Sequence, residues 1–156
     1  MTTFNPDGAI TRAEIATLIV RTLSKLDANA DGGFTDVKKS DWYFGAVGSA
    51  KAYGIINGTS ATTFAPKDQI RKDQIIAIAA RTLRSEMKWK SPKNIDNYLK
   101  KFTDREKLPS WGTDDFALAS MADLIILRTD GKFNPSDTMT RGDAAVVLYR
   151  LFMKIW

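Results

Sequence analysis

Apolar residues recur at helical spacing in three separate stretches of this 156-residue chain. Ile15, Leu18, Ile19, Thr22, Leu23 and Leu26 fall on one face by the i, i+3, i+4 pattern. Ile75, Ile78, Ala79, Thr82 and Leu83 do the same, and so do Ala144, Val147, Leu148, Leu151 and Phe152. The spacing predicts three amphipathic helices. Each is too short to be stable alone in water, so they are expected to bury their faces together as a central three-helix core. Ahead of the second and third lie Ala-rich stretches that end in aliphatic pairs, Ile55-Ile56 and Ile125-Ile126. These predict two further helices packed outside the core, and Ile95 to Lys101 predicts a short one. Nothing reads as a β-strand, so the expected class is all-α.

The three helical stretches belong to one repeated phrase: Phe-x-Pro, then six residues beyond the proline a cation opening the apolar helix. Phe4 to Leu23, Phe64 to Leu83 and Phe133 to Phe152 align without gaps. A longer block precedes the second and third copies. It begins Phe-Thr-Asp (Phe34, Phe102), reaches a tryptophan (Trp42, Trp111), and runs through the Ala-rich helix and a polar turn to Phe-x-Pro. An internal repeat of this length constrains architecture before any single residue does. The expected organisation is one domain over 1–156: residues 1–26 as a partial first repeat holding only its second half, 34–87 as repeat two, 102–156 as repeat three, and 88–101 as a connector. Three such units predict a pseudo-threefold helical bundle.

The helix starts carry chemistry. Thr11 and Glu14 read as a capping box, and Thr140 with Asp143 as a shorter version. Copy two has Arg71 and Gln74 instead. Between these caps stand Arg12, Lys72 and Arg141, at the positive end of the helix macrodipole, where a cation is unfavourable by about 0.3–1 kcal/mol. Their recurrence in one register suggests anion sites, each made from a cation and free helix-end amides. Trp42 and Trp111, at the starts of the front helices, suit either core packing or the face of a sugar ring. Gly58, in Asn57-Gly58, reads as a turn glycine that supplies a positive φ or lets a ligand approach closely; the expected counterparts of Gly54 and Gly58 in copy three are Leu124 and Arg128.

Composition narrows the function. The chain has no cysteine and no histidine, so it lacks disulfides, thiol chemistry, the commonest general base and the commonest transition-metal ligand. No paired carboxylates suggest a hydrolase, and the expectation is a protein that is not an enzyme and takes no cofactor. No apolar run is long enough to span a membrane. The N-terminus has no signal peptide, so any export signal is expected to lie outside these residues. Net charge is +5. Residues 84–107 hold eight cations against four anions, which fits a solvated connector or a patch for an anionic polymer. Asp27-Ala-Asn29-Ala-Asp31-Gly32 imitates the start of a calcium loop, but its twelfth position would be Lys38 where a glutamate is needed. No metal site is expected.

Phe-Thr-Asp-Val, Trp, Gly-Ile-Ile-Asn-Gly, Phe-x-Pro and Ile-Thr-Arg-Ala-Glu, in this order and spacing, resemble the S-layer homology (SLH) domain over nearly the whole chain. The resemblance implies a spindle-like helical domain, extracellular at the bacterial cell wall. It would tether a protein by binding a pyruvylated secondary cell-wall polysaccharide, or another anionic envelope glycan, in grooves between repeats. It implies Arg12, Lys72, Arg141, Trp42, Trp111 and Gly58 as the glycan-binding residues, with Lys72 matching the motif arginine only by charge. The main alternative is a degenerate SLH-type module mediating protein–protein assembly at the cell surface. Self-association or a domain swap through the incomplete first repeat would serve it. A nucleic-acid binder using the basic stretch would show a steep salt dependence, but no recognition-helix pattern accompanies it, and no nucleic-acid partner is expected.

Overall fold

The computed structural model describes residues 5–156, so Phe4 of the first Phe-x-Pro phrase lies outside the described residues. The fold is all-α. Its helices are α1 (Arg12–Thr22), α2 (Phe44–Ala52), α3 (Lys72–Met87), α4 (Asp96–Leu99), α5 (Thr113–Met121) and α6 (Arg141–Ile155), with 3-10 turns at Arg105–Lys107 and Ser110–Gly112. Among the described residues, extended pairing is confined to isolated bridges, Ala9 with Thr140, Thr11 with Gln69 and Arg71 with Thr138. No described helix is long and apolar enough to cross a membrane.

Two compact units form, one from Ile10–Ile70 and one joining Met1–Ala9 to Arg71–Trp156. In the first, α1 packs on α2, with Ile15, Ile19, Val47, Ile55, Phe64 and Ile70 fully out of solvent. In the second, α3 packs against both α5 and α6, and α4 against α5. Ile75, Ile76, Ile78 and Leu83 of α3 are buried there with Phe116 and Leu118 of α5. The middle of α3, Ile75 to Ala80, is therefore apolar and buried on every side, as a stretch of helix covered on two sides must be.

The caps explain where these helices start. The Thr11 Oγ1 accepts the Glu14 N–H at 3.2 Å and donates to the Glu14 carboxylate at 3.1 Å. Thr140 Oγ1 accepts the Asp143 N–H at 3.1 Å. Copy two keeps half of a box: Gln74 Oε1 accepts from the Arg71 N–H at 3.1 Å. The guanidinium of Arg71 has no acceptor to return and pairs with Asp73 instead.

The helix ends explain two departures from the sequence reading. α1 stops at a Schellman turn: Ser24 is left-handed (φ 57), its N–H reaches Arg21 O, and the Lys25 N–H reaches Val20 O at 2.7 Å. Leu26 lies beyond that stop, so the helical period no longer applies to it, and it is exposed. Leu18 and Thr22 are exposed too, while Ala13, Ala16 and Val20 are buried with Ile15 and Ile19. α2 ends the same way at Gly54 (φ 67) and α5 at Asp123 (φ 58). This puts the buried pair of copy three at Leu124-Ile125, with Ile126 exposed. The Ile125-Ile126 register was one residue late. From Trp42 onward each residue matches the one 69 further on, as Trp42 matches Trp111 and Phe64 matches Phe133; Gly58 therefore corresponds to Leu127, not Arg128.

α2 is thin for a reason. Gly48 lets the 27–31 segment cross directly over the helix: a Cβ there would overlap the Ala30 carbonyl and stand 2.9 Å from Asp31 N. Gly48→Ala is expected to lower stability by about 2 kcal/mol through overpacking against backbone that cannot yield. Urea denaturation followed by circular dichroism measures it.

Candidate functional site

Each repeated cation opens a helix that abuts the Phe-x-Pro turn of another repeat. At α1, the Arg12 N–H donates to Asp68 O and the Ala13 N–H to Pro66 O, both at 3.0 Å. At α3, the Lys72 and Asp73 N–H groups donate to Asp137 O and Pro135 O at 2.9 Å. At α6, the Arg141 and Gly142 N–H groups donate to Gly8 O and Pro6 O at 2.7 and 2.8 Å. The helix-end amides expected to be free for an anion are thus bound by backbone carbonyls, which is the ordinary fate of buried amides.

The Arg12 side chain follows its backbone inward. It is 4% exposed, donates from Nε to Phe64 O and from Nη2 to Asn57 O, both at 2.8 Å, and lies over the Phe64 ring at 4.8 Å. Burial pulls its pKa down, opposed by Asp68 and Asp36. Two carbonyl dipoles pointing at one guanidinium offset the unfavourable position at the helix N-terminus. Lys72 makes one bond of the same kind, Nζ to Phe133 O at 3.4 Å. Arg141 has a further interaction of its own as well.

The turns these cations hold are themselves held by carboxylates. Asp36 accepts the Phe64 and Ala65 N–H groups at 2.8 and 2.7 Å. Asp104, buried, accepts the Phe133 and Asn134 N–H groups at 3.0 and 2.8 Å. Burial pushes both carboxyls up, but the amides pull them further down, and both lie below the ordinary 3.8. This explains the Asp of Phe-Thr-Asp.

The tryptophans stand out from the core. Trp42 is 65% exposed, against Tyr43 at 5.2 Å, and Trp111 is 55% exposed, with Phe116 at 6.4 Å. Trp42 borders a groove of about 190 Å³ with Thr17, Arg21, Lys39, Asp41 and Phe44. A second groove, of about 230 Å³, contains Lys72 with Leu127, Arg128, Phe133, Met139 and Asp143. Neither groove is lined by Arg12, Gly58, Arg141 or Trp111. Sequence reading missed Arg21, Lys39 and Arg128. A signal for Arg21 was present: the aligned phrase repeats this cation as Arg81 and Arg150. Those two meet Asp115 and Asp123, whereas Arg21 turns to the groove.

Gly58 does not take the positive φ expected of it; Gly54 does. Its small size serves a close backbone crossing, since a Cβ would lie 2.5 Å from Ser60 O. In the segment that imitates a calcium loop, the Asp27 and Asp31 carboxylates accept the Asn29 and Gly33 N–H groups in local turns. Several cations of the basic stretch have internal partners: Arg84 pairs with Asp115 and Arg105 with Asp96, and Lys88 Nζ donates to Ser85 O.

Comparison with known proteins bears on the family. The family model of the S-layer homology domain matches residues 2–16, 33–76 and 101–145, most of the chain in three stretches. An amylopullulanase of Thermoanaerobacterium thermosulfurigenes is 31% identical over 98% of this chain and 8% of its own length. The exoglucanase XynX of Acetivibrio thermocellus is 30% identical over 98% of this chain and 14% of its own length. A surface-layer 125 kDa protein of Lysinibacillus sphaericus is 34% identical over 94% of this chain and 12% of its own length. The chain spans only a small part of these relatives.

Proposed function

Because the chain belongs to the S-layer homology domain family, whose members sit at the bacterial cell wall, we propose that it is a non-catalytic anchoring module that binds an acidic, pyruvylated secondary cell-wall polysaccharide. The observation that carries this reading is Trp42, two-thirds exposed at the mouth of a groove that also presents Arg21 and Lys39. An exposed indole offers a flat apolar face to a sugar ring, and two cations beside it suit a carboxylate. Lys72 and Arg128 make a second cationic groove, and Trp111 gives repeat three the same exposed indole as repeat two. Arg141 stands at the motif position and contributes charge at the third helix start. Arg12 and Gly58 act on the ligand indirectly, by shaping the loop between Asn57 and Phe64. The two grooves are unequal in their lining.

The test is sedimentation with purified cell walls carrying pyruvylated or chemically depyruvylated polymer. The intact chain is expected to co-sediment with the first and not the second. Trp42→Ala, a substitution at an exposed site, is expected to weaken binding about tenfold, the worth of one stacking contact with its hydrophobic area, with unchanged melting. Equal binding to both polymers would remove the carboxylate from the reading.

A further inference from the structure

The net charge of the chain is gathered in one short segment. Residues 88–101 hold five lysines, Lys88, Lys90, Lys93, Lys100 and Lys101, against one carboxylate, Asp96, a net +4 of the chain's +5. All five lysines are exposed. Residues 88–100 lie outside the stretches matched by the family, so neither the repeat nor its grooves account for them.

The segment is fixed in place. Ser91 Oγ accepts from Arg84 Nη2 at 2.9 Å, and Arg84 is itself paired with Asp115 of α5. Farther along, Tyr98 O accepts from Ser120 Oγ at 2.9 Å, and α4 packs on α5 with Leu99 buried. Both ties lead to one helix, at positions about 7.5 Å apart along its axis. A chain fastened in this way cannot spread its charges as a free linker does. The lysines stay on one patch of surface, close enough to feel one another's fields.

Their repulsion is not relieved inside the molecule. Lys88 Nζ donates to Ser85 O, and Lys101 lies over the Phe102 ring at 5.8 Å. Among the described residues, the ammonium groups of Lys90, Lys93 and Lys100 have no hydrogen-bond or ion-pair partner. The segment's one carboxylate, Asp96, is taken by Arg105, and Arg84 by Asp115. The neighbouring arginines are thus occupied in internal pairs, and what the segment turns outward is ammonium alone. An ammonium is a point charge with three rotating donors. It lacks the planar fork that reads a carboxylate but binds phosphate well as a point charge. Like charges gathered on one patch and facing only water attract a polyanion.

We propose that residues 88–101 are a contact for a phosphodiester polymer of the cell wall, of the poly(glycerol phosphate) kind, separate from the grooves proposed for the acidic glycan. The polymer's phosphates lie against Lys90, Lys93 and Lys100, and Lys88 and Lys101 add charge at the two ends. The contact reads charge density and tolerates changes in the polyol or sugar that joins the phosphates. It adds attachment that salt can weaken, beside grooves that discriminate by shape. The place of the family at the wall favours this polymer over a nucleic acid.

The probe is fluorescein-labelled poly(glycerol phosphate), titrated with the intact chain and read by anisotropy over a series of salt concentrations. Saturable binding that weakens steeply with salt is expected. Lys90→Gln, Lys93→Gln and Lys100→Gln together should weaken it about tenfold at low salt. They should also flatten the slope of log affinity against log salt by about 2, or roughly 0.7 for each charge on a flexible strand, with the melting curve unchanged. Arginine at the same three positions should keep most of the affinity. Absence of binding, or a slope that the glutamines leave unchanged, overturns the proposal. So does tighter binding of a single-stranded oligonucleotide, or of polygalacturonate with carboxylates in place of phosphates, compared at equal charge. Trp42→Ala should bind the probe as the wild type does, and the glutamine variant should still distinguish pyruvylated from depyruvylated walls. Loss of probe binding in Trp42→Ala would place the polymer in the groove and overturn the proposal.

Discussion

Asp104→Ala is expected to lower the stability of the unit containing it by about 3 kcal/mol, the loss of two charge-assisted bonds with two buried amides left unpaired. The carboxylate is 2% exposed and accepts both the Phe133 and Asn134 N–H groups, so water cannot easily replace it. Asp104→Asn retains one acceptor oxygen and should recover part of the loss. Asp36→Ala in the other unit removes the same pair of bonds from a more accessible site and should have a smaller effect. Chemical denaturation monitored by circular dichroism ranks the three. The same group predicts a pH dependence. Its folded pKa lies below 3.8, first raised by burial and then carried down by the amides of Phe133 and Asn134. A depressed folded value means that the carboxylate's contribution is full above the unfolded pKa, and is lost as pH falls through the folded one. Wild-type stability should therefore decline below about pH 4, and the decline should be shallower in Asp104→Ala, which lacks one of the groups responsible.

Arg12→Ala should cost about 3 kcal/mol, and Lys72→Ala at the aligned position less than about 1 kcal/mol. Arg12 is buried and ties together Asn57 O and Phe64 O, residues far along the chain. Removing it leaves the Phe64 carbonyl buried without its donor and opens a hole under the ring. Arg12→Lys keeps the charge but not the planar fork and should fall between the two. Lys72 has one long bond to Phe133 O and a groove open to water. Denaturation midpoints of the three variants test this ranking. If Arg12→Ala and Lys72→Ala prove equal, the carbonyl tie is not what retains a cation at this register. The ranking also separates folding from binding: lost wall attachment in Arg12→Ala is informative only where the variant is still folded, whereas Trp42→Ala avoids that difficulty.

Local signals were readable in the sequence and distant ones were not. Thr11 with Glu14 and Thr140 with Asp143 lie within one helical turn of each other, so their caps follow from spacing. The three back helices follow from their period. Arg12 was conspicuous as a cation in the wrong place, but its acceptors are backbone carbonyls 45 and 52 residues away, and carbonyls have no sequence signature. The buried pair of copy three was misplaced by one residue because Leu124-Ile125-Ile126-Leu127 is an unbroken aliphatic run. Only the left-handed Asp123, standing where copy two has Gly54, sets its register. The exposure of Tyr149 and Met153 on α6 was equally hidden, since a packed face and a face turned to water are written with the same residues.

One feature bears on the time at which the chain finishes folding. The carbonyls of Pro6 and Gly8 receive the first amides of α6, so a turn meets a helix that is made more than a hundred residues after it. The Ile10–Ile70 unit lies between them in sequence and can close as soon as it emerges, because its contacts are local to it. The other unit cannot be completed until Arg141 and Gly142 have been made. Joining ends more than a hundred residues apart adds little entropic penalty, since loop closure grows only with the logarithm of length, but it enforces an order. The turn at residues 5–8 must wait for α6, and until that helix has been made the carbonyls of Pro6 and Gly8 have water as their partner.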